Sequence, residues 1–178
     1  MTAALNGQTG AMRVLALVTF MFALAPLAAP PAHADTRFLA YDAADRVTQA
    51  LTRGLTLEVE RGLFGAVRLN GLFSTTSRGA ARLERGGPDG VRRALPQGTE
   101  ESDVYAIDAQ GDGRGLSRAL CPGAESAWLV AGRVRAARPL TMHAVGRWAD
   151  GTFRPCVTLS YTWRGEWATA PSPGPAGE

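Results

Sequence analysis

Lysine is absent from this 178-residue chain, so all 19 basic side chains are arginines. The arginine fork suits carboxylates and phosphates. A bias that runs through a whole chain rich in alanine and glycine, however, indicates GC-rich coding rather than a binding site. The net charge is also small, at +3. Such a charge gives little attraction toward nucleic acid or an anionic membrane, so the sequence predicts no nucleic-acid partner.

Histidine occurs only twice. His33 lies in the N-terminal segment that is interpreted below as a signal peptide, so His143 is the one that remains in the predicted domain. A Ser-His-Asp hydrolase needs an imidazole beside a nucleophile and oriented by a carboxylate. The chain has no Gly-x-Ser-x-Gly motif to present that nucleophile. Strand alternation places His143 with Thr141 and Arg147, on the side opposite the apolar residues. We therefore expect a solvent-facing histidine and no catalytic residue of this class.

Cysteine also occurs only twice, as Cys121 and Cys156. An even number of cysteines in an exported domain favours a disulfide, with two free thiols as the alternative. Cys156 is in phase with Thr158 and Ser160, which predicts that it lies on the outer face of its strand. One histidine and no Cys-x-x-Cys motif are too few ligands for a structural metal site, so the sequence indicates no cofactor.

The chain has one long apolar run, Val14–Leu27, and Arg13 is the only charge before residue 35. The run is followed by Ala32-His33-Ala34, with small residues where signal peptidase requires them. A membrane-spanning helix needs about 20 apolar residues, and this run is shorter, so a cleavable signal peptide is favoured over an uncleaved anchor. We expect a periplasmic or secreted protein with no membrane span after cleavage, and Met12 is a candidate for its true start.

The pattern predicts three regions: a signal peptide over 1–34, one globular domain over 35–167 and a disordered Pro/Gly-rich tail over 168–178. The domain is predicted to begin with a helix, Ala43–Arg53, capped by Asp42 and ended by Gly54. The apolar face of this helix holds Ala43, Val47, Ala50 and Leu51.

Strands are predicted for most of the remaining domain, because apolar and polar residues alternate there. The last two strands form a hairpin around Asp150-Gly151. Alternation turns Tyr161 and Trp163 inward. Trp167 follows Gly165 and is expected to be the most exposed aromatic residue. No pattern is readable from Val91 to Ser102. The predicted strands are Leu55–Glu60, Ala66–Phe73, Ala80–Arg85, Asp103–Asp108, Trp128–Val134, Leu140–Trp148 and Arg154–Trp163.

Carboxylates offer the remaining chemistry. Glu58, Glu60 and Asp103 are candidates for an enzyme that works without histidine, for example on glycans. The segment from Asp108 to Gly113 imitates the first half of a calcium loop, but Ala119 occupies the twelfth position, where a bidentate glutamate is required. A polar turn is the better interpretation of that segment.

These observations predict an α+β, mostly β domain. One N-terminal helix precedes a largely antiparallel sheet, arranged as a small sandwich or a partly closed barrel and ending in a three-stranded meander. The leading functional hypothesis is a non-catalytic binding module for a protein, an envelope polymer or a small ligand. The alternative is a carboxylate-dependent envelope enzyme that acts on glycans.

Overall fold

Strands dominate the structure, a computed structural model that describes residues 35–62, 67–76 and 79–168. The predicted leader and residues 169–178 of the predicted tail lie outside these residues. The strands are β1 (Asp35–Ala43), β2 (Gly54–Arg61), β3 (Val67–Ser74), β4 (Ala80–Arg85), β5 (Asp103–Ile107), β6 (Ser126–Ala131), β7 (Leu140–Arg147) and β8 (Phe153–Trp167). The helices are α1 (Arg46–Thr52), α2 (Asp89–Arg93) and α3 (Gly113–Leu120).

Each strand pairs antiparallel with the next, and β1 pairs with β8, so the sheet closes into an eight-stranded barrel. The prediction of a mostly β, antiparallel domain is confirmed, and β6, β7 and β8 form the expected meander. The sandwich and the partly closed barrel are corrected to a closed barrel. Among the described helices, none has the length and apolar character needed to cross a membrane.

The closing strand β1 is the element that the sequence did not predict. Its central residues, Phe38 to Tyr41, are all buried. A strand covered on both faces shows an apolar run instead of alternation, and four apolar residues are too few to distinguish a strand from a helix. The chain therefore enters the domain as a strand, and the predicted N-terminal helix comes second.

Helix α1 differs from its prediction in both its bounds and its buried face. Asp45, not Asp42, caps it by accepting a hydrogen bond from the Thr48 backbone N–H at 2.8 Å. The helix buries Thr48 and Thr52, while Val47 is 53% exposed. The threonines are buried because they make polar contacts with the barrel. The Ser160 backbone N–H donates to the Thr48 hydroxyl at 2.9 Å, so a hydroxyl group satisfies a backbone donor at this end of the barrel. The Gly54 expected to end the helix instead begins β2.

The interior of the barrel is filled by inward-facing side chains. Leu55, Leu57 and Val59 of β2 are fully buried, as alternation predicted. Helix α3 covers the same end of the barrel as α1, since both follow odd-numbered strands, and it buries Leu116 and Leu120. The remaining buried core residues include Leu39, Tyr41, Leu69, Leu72, Leu83, Tyr105, Ile107, Leu129, Met142, Leu159 and Tyr161.

A disulfide joins Cys121, directly after α3, to Cys156 of β8, with 5.2 Å between the Cα atoms. The prediction that Cys156 lies on the outer face is wrong. Ala144 pairs with Val157 and Val145 with Pro155, so Cys156 is the extra residue of a β-bulge. A bulge interrupts the alternation of side chains, and Cys156 packs against the main core as a result.

A second, smaller core lies outside the barrel wall, where α2 packs on the strands. Val91 of α2 is fully buried there. Gly90 is required at this contact, because a Cβ atom at that position would overlap the ring of Phe153. The buried residues of this outer core are Val91, Val104, Trp128, Val130 and Val145.

Candidate functional site

The barrel has an open mouth at the end opposite α1 and α3. The ends of β2, β4 and β6 meet there, and a cavity of about 510 Å³ lies among them. Its floor is made of buried apolar and aromatic side chains that also belong to the main core. These floor residues are Leu39, Leu69, Tyr105 and Val134.

Arginines line the mouth. Arg61 forms an ion pair with Glu166 at 2.9 Å, and Arg85 pairs with Asp103 at 3.0 Å. Arg133 and Arg135 have no carboxylate partner within the described ranges 35–62, 67–76 and 79–168. Asp103 is the one acidic side chain among the described residues that line the cavity. The mouth therefore carries uncompensated positive charge above an apolar floor.

The connection from β6 to β7 presents these two arginines. Val134 is 6% exposed and belongs to the main core, while its neighbours Arg133 and Arg135 are exposed. Val134 follows Ala131, the last residue of β6 that packs in the main core, by three positions, so the side-chain alternation of β6 does not continue through this connection. The sequence predicted a strand through Val134. The structure ends the strand at Ala131, and the buried side chain of Val134 anchors the connection in the mouth.

Tyr105 contributes a hydrogen-bond donor to the cavity. Burial raises the pKa of Tyr105, the carboxylate of Asp103 raises it further, and the guanidinium of Arg85 opposes part of this rise. The hydroxyl is therefore protonated at neutral pH. It forms no hydrogen bond within the part of the chain that the structure describes, so it is free to donate to a ligand.

A second concavity, the acidic groove, crosses the outer wall of the barrel. It has a volume of about 760 Å³. The structure brings together Glu58 and Glu60, two of the sequence candidates, while the third, Asp103, lies at the mouth and pairs with Arg85. Glu58 lies close over Gly71, 3.2 Å from the place where a Cβ atom would stand. The carboxylates of the groove are Glu58, Glu60, Glu84, Asp108 and Asp112.

His143 points away from the barrel interior, as predicted, but the expectation that it faces solvent is wrong. It is 9% exposed. Its Nε2 lies 3.2 Å from Oε2 of Glu101, and its Nδ1 lies 3.1 Å from Oγ1 of Thr158. Glu101 belongs to the connection between α2 and β5, which covers this wall. No local pattern indicated this contact, because the segment from Val91 to Ser102 shows neither helical nor strand periodicity.

The row Thr158–His143–Glu101 contains a hydroxyl, an imidazole and a carboxylate, the groups of a nucleophilic triad. A catalytic triad also needs a cavity that places substrate beside the nucleophile. Neither the mouth nor the acidic groove includes Thr158 or His143. The three groups therefore form a row of hydrogen bonds that holds the α2–β5 connection on the barrel wall.

Within the described residues, no three side chains from His, Cys, Asp and Glu are grouped closely enough to hold a metal ion. No protein-family model, curated protein or solved structure matches this chain. Its function is therefore inferred from its own geometry.

Proposed function

We propose that this protein is an exported, non-catalytic binding module that takes a small ligand in the mouth of its barrel. The observation that carries the proposal is the cavity of about 510 Å³, where two arginines without a carboxylate partner among the described residues lie above an apolar floor. Ligand pockets in proteins commonly measure about 300–1,000 Å³ and combine apolar walls with a few polar groups. Barrels of eight strands are wide enough to hold one small ligand.

Export is supported by the leader-like segment 12–34 and by the disulfide between Cys121 and Cys156. Disulfides persist in the periplasm and outside the cell, and they are rare in the cytosol. The proposed location is therefore the periplasm or the extracellular space.

A binding role fits the mouth better than a catalytic one. General acid–base chemistry needs a histidine, a carboxylate or a similar group free to exchange a proton with the substrate. Asp103, the acidic side chain of the described cavity lining, is already paired with Arg85. Arginine remains charged at all ordinary pH values, so Arg133 and Arg135 can hold an anion but do not transfer protons.

The experiment uses Nile red, a neutral dye whose fluorescence rises in apolar surroundings. We expect one binding site on the purified protein. Ala136→Trp, at an exposed residue of the cavity lining, should block the site. Ala149→Trp is the matched control, because Ala149 is exposed in the turn before β8. Absence of dye binding, or equal binding by both variants, would contradict the proposal.

The acidic groove supports a second candidate, a carboxylate-dependent enzyme that acts on envelope glycans. Five carboxylates line this groove, and glycoside hydrolysis needs two carboxyl groups on opposite sides of the bond, about 5–9.5 Å apart. The test is the release of soluble sugars from purified envelope glycans. Activity that is lost in Glu58→Gln and retained in Asp89→Asn, at an exposed residue of α2, would favour this candidate over the binding module.

A further inference from the structure

The charge of the mouth indicates the class of ligand. We infer that the mouth selects an amphipathic anion, an apolar chain that ends in one anionic head group. This inference rests on the proposed binding function and specifies its ligand.

The first step is the charge balance around the rim. Arg37 and Arg61 share Glu166, at 3.9 and 2.9 Å, and Arg37 also pairs with Asp35. Arg85 is balanced by Asp103. Among the described residues, these contacts leave the guanidinium groups of Arg133 and Arg135 without a carboxylate, so an anion that enters the mouth gains attraction without displacing an internal carboxylate. A concave site with low-dielectric walls strengthens that attraction.

The second step is the geometry of the donors. Arg133 and Arg135 flank Val134, which is buried in the floor. A head group at this position meets guanidinium groups, whose planar forks match the oxygens of a carboxylate, sulfate or phosphate. The Tyr105 hydroxyl adds a neutral donor, since its raised pKa keeps it protonated.

The third step is the apolar part of the cavity. Leu39, Leu69 and Val134 line its floor and belong to the main core. An alkyl chain that lies against this floor removes its own apolar surface from water. A small inorganic anion makes no use of the apolar floor, and a neutral apolar molecule makes no use of the arginines.

The test measures displacement of Nile red by matched probes: decanoate, decyl sulfate, decanol and acetate, all below the concentrations at which micelles form. At least one of the two anionic ten-carbon probes should bind about tenfold tighter than decanol, because a charge-assisted hydrogen bond contributes enough for that factor. Comparing decanoate with decyl sulfate identifies the preferred head group. Acetate should displace the dye much more weakly than decanoate, since it lacks the chain.

The double variant Arg133→Gln/Arg135→Gln should lose the preference for the anionic probe and keep its affinity for decanol. Arg114→Gln/Arg118→Gln removes the same charge from exposed positions of α3, at the closed end, and should retain the preference.

The inference is overturned if decanol binds as tightly as both anionic probes, if acetate matches decanoate, or if both double variants behave alike. It is also overturned if Nile red binds but no ten-carbon probe displaces it. In each of these results the Nile red site itself remains, so the proposed function stands. If Nile red does not bind at all, the proposed function fails first.

Discussion

The hydroxyl of Tyr41 donates a hydrogen bond to the backbone carbonyl of Arg135 at 3.4 Å, across 94 residues of sequence. Tyr41 lies in β1, where its side chain belongs to the main core, and Arg135 lies in the connection from β6 to β7. The contact fixes the arginine-bearing segment of the mouth to the strand that closes the barrel.

Replacing Tyr41 by phenylalanine should therefore weaken both stability and ligand binding. A hydrogen bond of this kind contributes about 0.5–1.5 kcal/mol to folding, and we expect a loss within that range in urea unfolding. Affinity for the anionic probe should fall more than affinity for decanol, because the position of Arg135 changes. Tyr105→Phe, which loses no internal hydrogen bond in the described structure, should retain nearly full stability. Equal losses in the two variants would contradict this role of Tyr41.

Stability should also decline at alkaline pH through the same residue. Burial raises the pKa of Tyr41 from 10.0 to about 12. Between these values the unfolded chain has released the proton and the native protein still holds it, so the free energy of unfolding falls as the pH rises. Below pH 10 the contribution is complete. Tyr161 has a pKa raised by burial as well, so Tyr41→Phe should reduce this decline without removing it.

The measurement is urea unfolding of the wild type and Tyr41→Phe at several pH values from about 9 to about 12. We expect the two stability curves to converge as the pH increases through this range. Curves that remain parallel would show that Tyr41 titrates alike in the folded and unfolded states.

Several parts of this fold follow directly from the sequence. Alternation predicted Ala80–Arg85 with the bounds of β4, the inward positions of Leu55 and Leu57, and the hairpin of β7 and β8. The position of Trp167 after Gly165 predicted an exposed aromatic residue, and this residue is 46% exposed. These features depend on one strand or on a short turn, so a local pattern is enough to specify them.

Features that depend on distant contacts were not predicted. The buried face of α1 is polar because its threonines meet hydroxyl and backbone groups of β8. His143 is covered by Glu101, which is 42 residues away. The mouth itself exists only when β1 and β8 pair, and that closure brings Arg61 and Arg85 to the same rim as Arg133 and Arg135. No pattern within one segment of the chain indicates that these arginines lie at the same rim.

The disulfide should be formed in the native protein and should stabilise it. Cys121 and Cys156 are separated by 35 residues, and a loop of this length corresponds to about 2–4 kcal/mol of stabilisation. Thiol titration of the unfolded, unreduced protein should detect no free thiol. Replacement of both cysteines by serine should lower the free energy of unfolding by an amount in that range. Two titratable thiols in the unreduced protein would contradict this prediction.

His143 should contribute to structure and not to hydrolysis. His143→Ala removes the partner of Glu101 and Thr158 in a partly buried contact, and losing such a partner costs about 1–3 kcal/mol. We expect faster hydrogen exchange in the connection that contains Glu101, with no change in the hydrolysis of ester, peptide or glycan substrates. Activity of the wild type that disappears in a folded His143→Ala variant would instead identify Thr158–His143–Glu101 as a catalytic row.

The register of the closing strands can be tested at two adjacent residues of β8. Trp163 is half-buried, pairs with Tyr41 across the β1–β8 seam and contacts its ring edge-on, with 5.4 Å between the ring centroids. Thr162 is exposed, and its hydroxyl donates to the Asp42 carbonyl at 3.4 Å. Trp163→Ala should lower the free energy of unfolding, measured in urea, by about 3 kcal/mol. This value is at the lower end of the range for replacing tryptophan by alanine, because the side chain is only partly covered. Thr162→Ala should cost less than about 0.5 kcal/mol, as most exposed substitutions do. Because a slip of one residue would exchange the two faces of the strand, similar losses at both positions would place the seam in a different register.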